Sequence, residues 1–300
     1  MRPTKALAGL AATTAVILGM AACTNATTAP PTADASLEHV HAFAHVDNSP
    51  VVLVGTHTGL WKFALTAVDP DRPREAPLIP VGDDRFDVMG LTTTPQDVLI
   101  ASGHPAVTAP TTAPSNRGLL RSEDSGTTWQ TISLEGKADF HDLTTAADSV
   151  LGLNSTTQAI LRSDDDGATW TTEATTTALS LAVDSANPEI LWAAGPDGLE
   201  RSTDRGATLT PSPEAPPLVH VASSAYSIAG ATIDGTVWSL DPGSATWSQV
   251  GQLEGQPQAF DIIDIGDKTV QFAVDDRAIV VSHDNGRTWT PVPLTLKQNE

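Results

Sequence analysis

One short phrase recurs along the chain and constrains the fold more than any other feature. Its clearest copy is Ser163-Asp164-Asp165-Asp166-Gly167-Ala168-Thr169-Trp170. Two more run from Ser122 to Trp129 and from Ser282 to Trp289. A fourth, from Ser202, ends in Leu209, and a fifth, from Ser239 to Trp247, is stretched by one residue. The starting serines are 41, 39, 37 and 43 residues apart. A recurring period of about 40 residues marks a repeat architecture, in which each unit buries its apolar face only against its neighbours. The phrase suits a hairpin turn. Asp and Asn side chains accept hydrogen bonds from backbone N–H groups just ahead of them. Gly supplies a left-handed backbone conformation. Trp then opens the next strand and packs between sheets. Asp124, Gly126 and Trp129, Asp165, Gly167 and Trp170, Asp204 and Gly206, and Asp284, Gly286 and Trp289 are assigned this structural role.

Between the phrases lie short β-like runs separated by Gly, Pro, Asp and Asn, with no helical period. Each phrase follows a third strand, such as 118–121 or 278–281, and precedes a fourth. Two further strands come before it, such as 140–145 and 149–153. The expected fold is all-β: a six-bladed β-propeller with four antiparallel strands per blade. The blades fall at 37–82, 85–135, 138–175, 178–213, 216–252 and 257–294, followed by a tail, 295–300. The second is longest because of an insertion, 105–116. The phrase resembles the Asp-box, or BNR repeat, of sialidases and other propellers.

The first 22 residues carry Arg2 and Lys5 and then an apolar run, the layout of a secretory signal peptide. That run is short for a membrane-spanning helix. Met20-Ala21-Ala22-Cys23 resembles the lipobox of bacterial lipoproteins, with Met20 where Leu is usual. Cys23 would then be the lipidated N-terminus, and 23–36 a flexible tether rich in Thr, Ala and Pro. The protein is expected to be exported and lipid-anchored on the outer side of the cytoplasmic membrane. A single cysteine excludes an intrachain disulfide. Loss of Arg2 and Lys5 takes the formal charge from -20 to -22. Such a surface disfavours nucleic acid and anionic lipid as partners and favours cations. Membrane contact is expected through the anchor only, and the protein as a monomer.

In a propeller, the innermost strand of each blade lines a central channel. Its start and the loop between strands two and three share one face. The turn between strands three and four lies on the other, so the phrases are expected far from any site at the channel mouth. His41, His141 and Ser180 each stand 22 residues before the first position of the phrase (Phe63, Ser163, Ser202), and Asp261 stands 21 before Ser282. Asp87 stands 35 before Ser122 and falls into line once the insertion is removed. This spacing places His41, Asp87, His141, Ser180 and Asp261 at equivalent inner-strand positions. His57 and His104 join them from loops, and His39 shares a strand side with His41. His39, His41, His57, His104 and His141 thus converge from three blades, with Asp87, Asp139 and Met89 in the same region. Imidazole is a common ligand of Zn, Cu, Ni and Fe, carboxylates complete such sites, and a thioether favours copper. One transition-metal ion, Cu or Zn, or a small ligand is expected there. His45, His220 and His283 are assigned to structure or surface.

A closer resemblance rests on motifs in fixed order: His39-Val40-His41, Thr56-His57-Thr58-Gly59-Leu60, Asp87-Val88-Met89-Gly90, Ser102-Gly103-His104-Pro105, Gly118-Leu119-Leu120-Arg121-Ser122 and Asp139-Phe140-His141. Together they resemble a bacterial family of exported Asp-box propellers labelled "F510_1955 family glycosylhydrolase". The resemblance implies glycoside hydrolysis but brings no catalytic residues with it. Sialidase-like chemistry needs a tyrosine nucleophile and arginines that grip the substrate carboxylate. The single tyrosine, Tyr226, and Arg121, Arg162 and Arg201 all fall on the far face. A two-carboxylate exo-hydrolase acting on a glycan at the channel mouth could draw its pair from Asp87, Asp139 and Asp261, with Arg85, Asp87 and Asp139 expected to carry it. A third reading is a non-catalytic scaffold that assists protein assembly.

Overall fold

The structure, a computed structural model, describes residues 39–241 and 246–296. The expected signal peptide, Cys23 and tether lie outside the described residues, as do 242–245 within the fifth phrase. Six sheets follow one another along the chain at 40–80, 87–133, 140–175, 180–211, 218–252 and 259–291. Each is built of four antiparallel strands in sequence order. The innermost strands are Val40–Ala44, Asp87–Thr93, Phe140–Ala146, Ser180–Val183, Leu218–Ser223 and Ala259–Ile265. Each packs beside the inner strands of the two neighbouring blades, and the last meets the first, so they form a closed ring. The chain is a six-bladed β-propeller.

The burial pattern explains the stacking. Second strands such as Ser149–Asn154 and Leu191–Gly195 are buried throughout, as expected of strands covered on both faces. Outer strands such as Gln130–Ser133 and Thr171–Thr175 have no buried residue. Buried apolar side chains gather into six clusters, one at each junction between blades. Within three blades a Phe near the inner strand meets the Trp that ends the phrase: Phe86–Trp129 at 5.6 Å, Phe140–Trp170 at 4.9 Å and Phe260–Trp289 at 6.0 Å between ring centroids.

The phrase is a hydrogen-bonded turn between strands three and four. Ser163 Oγ accepts from Gly167 N at 2.8 Å and donates to Asp165 Oδ1 at 2.8 Å. Asp165 accepts from Thr169 N at 2.8 Å and Thr169 Oγ1 at 2.6 Å. The same bonds recur around Asp124, Asp204 and Asp284. Gly126 and Gly167 both have φ +85°, and a Cβ on either would overlap a leucine of the preceding blade, Leu60 or Leu119. The turn therefore sets the spacing between blades as well as reversing the chain.

Two devices seal the ring. Phe43 N of blade one donates to Asp261 Oδ2 of blade six at 3.2 Å. Leu294–Leu296, at the edge of the expected tail, pairs in parallel with the outer strand of blade one, Ala76–Pro80.

Candidate functional site

The inner strands of blades one, two and three each carry a β-bulge. Pairing skips one residue between Val40 and Ala42, between Val88 and Gly90, and between Phe140 and Asp142. The bulged residues are His41, Met89 and His141. A bulge inserts one residue into a strand and re-aims its side chain, a device common beside binding sites. The strand pairing also corrects the alignment drawn from spacing. Asp87 does not share a level with His41 and His141; it stands with His39 and Asp139, two residues earlier. Opposite these three lie His57, His104 and Ser155, at the ends of the second strands.

Ser180 and Asp261 belong to another set, with Asp142. Each holds the next blade by accepting a backbone N–H: Asp142 from Leu181 at 2.6 Å, Ser180 from Val221 at 3.2 Å, Asp261 from Phe43. Their role is to staple blades together, and they are absent from the histidine cluster.

The cluster forms one connected chain of side chains. His57 Nδ1 lies 2.9 Å from Asp87 Oδ1, and His41 Nε2 lies 3.6 Å from the same oxygen. The two nitrogens are 3.3 Å apart. His104 Nδ1 donates to Asp87 Oδ2 at 3.2 Å, and its Nε2 lies 3.1 Å from Asp139 Oδ1. Asp139 Oδ2 accepts from His141 Nε2 at 3.0 Å and from Ser155 Oγ at 2.6 Å. Two triads with metal-ligand spacing result: His41, His57 and Asp87, and His104, Asp139 and His141. Asp87 Oδ1 and Asp139 Oδ1 are buried and hydrogen-bonded to nothing, despite the imidazole nitrogens close by. A buried carboxylate oxygen flanked by imidazole nitrogens at these distances stands where a metal ligand would.

The electrostatics separate the histidines. Burial, then the neighbouring His57, pushes His41 down to about 4, so its ring is neutral at pH 7 and keeps a lone pair for a metal. His104 is pushed up to about 10 by its contacts with Asp139 and then Asp87. Burial opposes the charge on Asp139, but contacts with His104, His141 and Ser155 outweigh it and hold the carboxyl well below its usual range. Asp87 is lowered in the same way, burial being outweighed by His104 and His57.

His39 flanks the first triad, its ring 5.2 Å from that of His57, on a backbone with φ +51°. Met89 lines the channel but belongs to neither triad. Arg85 donates Nη1 to the carbonyl oxygen of Val81 at 3.1 Å. His45 and His220 bond the backbone carbonyls of Val51 and Pro257. Spacing alone missed Ser155, which completes the shell of Asp139. It also missed Asp142, which with Asp261 faces a channel of about 800 Å³ that His41 and His141 also line. Burial pushes Asp142 and Asp261 up to about 7 each, and for Asp142 the charge of Asp261 adds to this.

No protein-family model matches the sequence, and no curated protein matches it. Solved structures do match the fold. The chain is similar to the GH74 xyloglucanase of Xanthomonas campestris, with a TM-score of 0.55 and 16% identity over 85% of this chain and 45% of that one. It is similar to the GH74 enzyme of Niastella koreensis, with a TM-score of 0.56 and 16% identity over 84% of this chain and 37% of that one. For an ancestral GH74 enzyme the TM-score is 0.51 and the identity 15%, over 85% and 38%. The chain spans less than half the length of these structures. The likeness is one of fold: a β-propeller, which here carries a His/Asp cluster on its first three blades.

Proposed function

We propose that this propeller is exported, tethered to the outer side of the cytoplasmic membrane through Cys23, and binds a divalent transition-metal ion through His41, His57 and Asp87. The observation that carries the reading is the triad's spacing around a carboxylate oxygen with no hydrogen bond. Zn–N bonds of about 2.0–2.1 Å in a tetrahedral site put ligand atoms about 3.3 Å apart. The three separations here are 2.9, 3.3 and 3.6 Å. Two nitrogens and one oxygen suit zinc or copper, and three protein ligands leave a position open for water or a ligand. His104 supports the site by holding Asp87 Oδ2, which turns Oδ1 toward the two imidazoles.

The test is a titration of metal-stripped protein with Zn(II) and Cu(II). Tight uptake is expected. His41→Ala and His57→Ala are each expected to weaken it by more than the roughly 10–100-fold that outer-shell changes cost. Uptake that ignores both substitutions would overturn the assignment. For the tether, Cys23→Ala is expected to move the protein from the membrane fraction to the soluble exported fraction. Unchanged membrane association would refute lipidation at Cys23.

A hydrolase on the same face is the weaker reading. A general acid at pH 7 needs a raised pKa, whereas Asp87 and Asp139 are both lowered by the histidines around them, and the raised Asp142 and Asp261 are engaged in holding neighbouring blades. Arg85 is bonded to a backbone carbonyl.

A further inference from the structure

We propose that His104, Asp139 and His141 form a second divalent-metal site, coupled to the first through the Asp87–His104 contact. This inference rests on the reading of the first triad as a metal site.

Internal repetition carries the argument. His57 and His104 stand at the same place in successive blades, each at the end of a second strand. Asp87 and Asp139 stand at the same place in the blades that follow. The first junction brings His57 Nδ1 within 2.9 Å of Asp87 Oδ1, and the second brings His104 Nε2 within 3.1 Å of Asp139 Oδ1. In both pairs the carboxylate oxygen is buried without a hydrogen bond. A bulged histidine completes each triad: His41 from blade one, His141 from blade three. The bulge between them holds Met89, so no third imidazole competes at the middle position. The two ligand sets share no residue.

The link between the sites has definite chemistry. His104 donates Nδ1–H to Asp87 Oδ2, which orients the ring and turns Nε2 to face Asp139. This is the carboxylate–histidine–metal arrangement in which an outer carboxylate orients the ligand ring. Asp87 therefore serves the first ion through Oδ1 and orients a ligand of the second through Oδ2. Filling the first site breaks only the His41–His57 contact at 3.3 Å, whereas filling the second breaks the shorter His141–Asp139 bond to a carboxylate at 3.0 Å, while Ser155 keeps Asp139 Oδ2. The second ion therefore binds more weakly than the first.

The test is equilibrium dialysis of the metal-stripped full chain against Zn(II), with Co(II) absorption as the spectroscopic readout. Two equivalents are expected in the wild type. His141→Ala should lose the weaker equivalent and leave the tighter one, and Asp139→Asn, which keeps the shape, should do the same. His57→Ala should lose the tighter one. His104→Ala should lose the weaker equivalent and also weaken the tighter one by roughly 10–100-fold, the cost of removing an outer-shell partner. Thermal melts check that each variant is folded. One equivalent in the wild type, or two after both His141→Ala and Asp139→Asn, overturns the second site. No uptake at all overturns the reading of the first triad instead, and the second falls with it.

Discussion

Gly103→Ala is expected to destabilise the propeller by about 3 kcal/mol and to weaken zinc binding at the first triad by at least about tenfold. Gly103 has φ +156°, and a Cβ there would overlap the carbonyl oxygen of Asp87 and approach Met89 N at 3.1 Å. Both obstacles are backbone, so neither can swing aside. Relief has to come from shifting the inner strand that carries Asp87 or the second strand that carries His104. Either movement breaks the contact between them. Gly198→Ala is the control: its φ is also positive, at +99°, but nothing lies within 4 Å of its Cβ position. That change is expected to cost only about 1 kcal/mol and to leave zinc binding unaltered. Urea unfolding and a zinc titration measure both effects. Wild-type stability and affinity in Gly103→Ala would show that the close approach does not position the site.

Asp261→Asn is expected to stabilise the protein at pH 8 by about 2 kcal/mol more than it does at pH 5. Burial raises the Asp261 pKa from 3.8 to about 7, while the unfolded chain keeps the ordinary value. Between those pH values the folded state binds the extra proton. Stability from this group is thus full below pH 3.8 and is lost as pH rises toward 7. The loss would be about 4 kcal/mol if nothing screened the charge, and water in the channel reduces it. Asparagine can still accept from Phe43 N, so the staple survives; the acceptor that Ile262 N meets at 3.2 Å is lost, a cost that does not vary with pH. Asp142 and Asp264, with His41, His45, His141 and His220, also line this channel, which is why the difference between variant and wild type is the quantity to follow. A pH-independent difference would mean that folding does not raise the Asp261 pKa and that the group is charged in the folded protein throughout this range.

The phrase around Trp170 made the fold readable because a period repeated five times survives local variation. Its turn bonds need a serine, an aspartate, a glycine and a threonine at fixed offsets, and those offsets can be counted. The convergence of His41, His57, His104 and His141 was readable for the same reason, since blade register follows from the turns. The contacts within the cluster were not. The insertion at 105–116 has no marked ends in the sequence, so counting back from Ser122 across it set Asp87 level with His41 when Met89 holds that place. A β-bulge adds one residue without a marker in the sequence, so Ser180 and Asp261, on inner strands paired without one, were set level with His41 and His141 when they stand with Asp142. Ser155 went unseen because a serine after a strand end reads like any turn residue. The parallel pairing of Leu294–Leu296 went unseen because a run that short carries no period.

That last strand has a consequence for assembly order. It joins residues separated by more than 200 positions in the chain, and closing so long a loop is entropically costly and slow. Both triads come from 41–141, and their supporting shell ends at Ser155. A nascent chain therefore holds every ligand, in three consecutive blades, well before the residues that lock the ring exist. Under the proposed metal-site reading, an ion captured in this order would pin blades one to three before the ring locks.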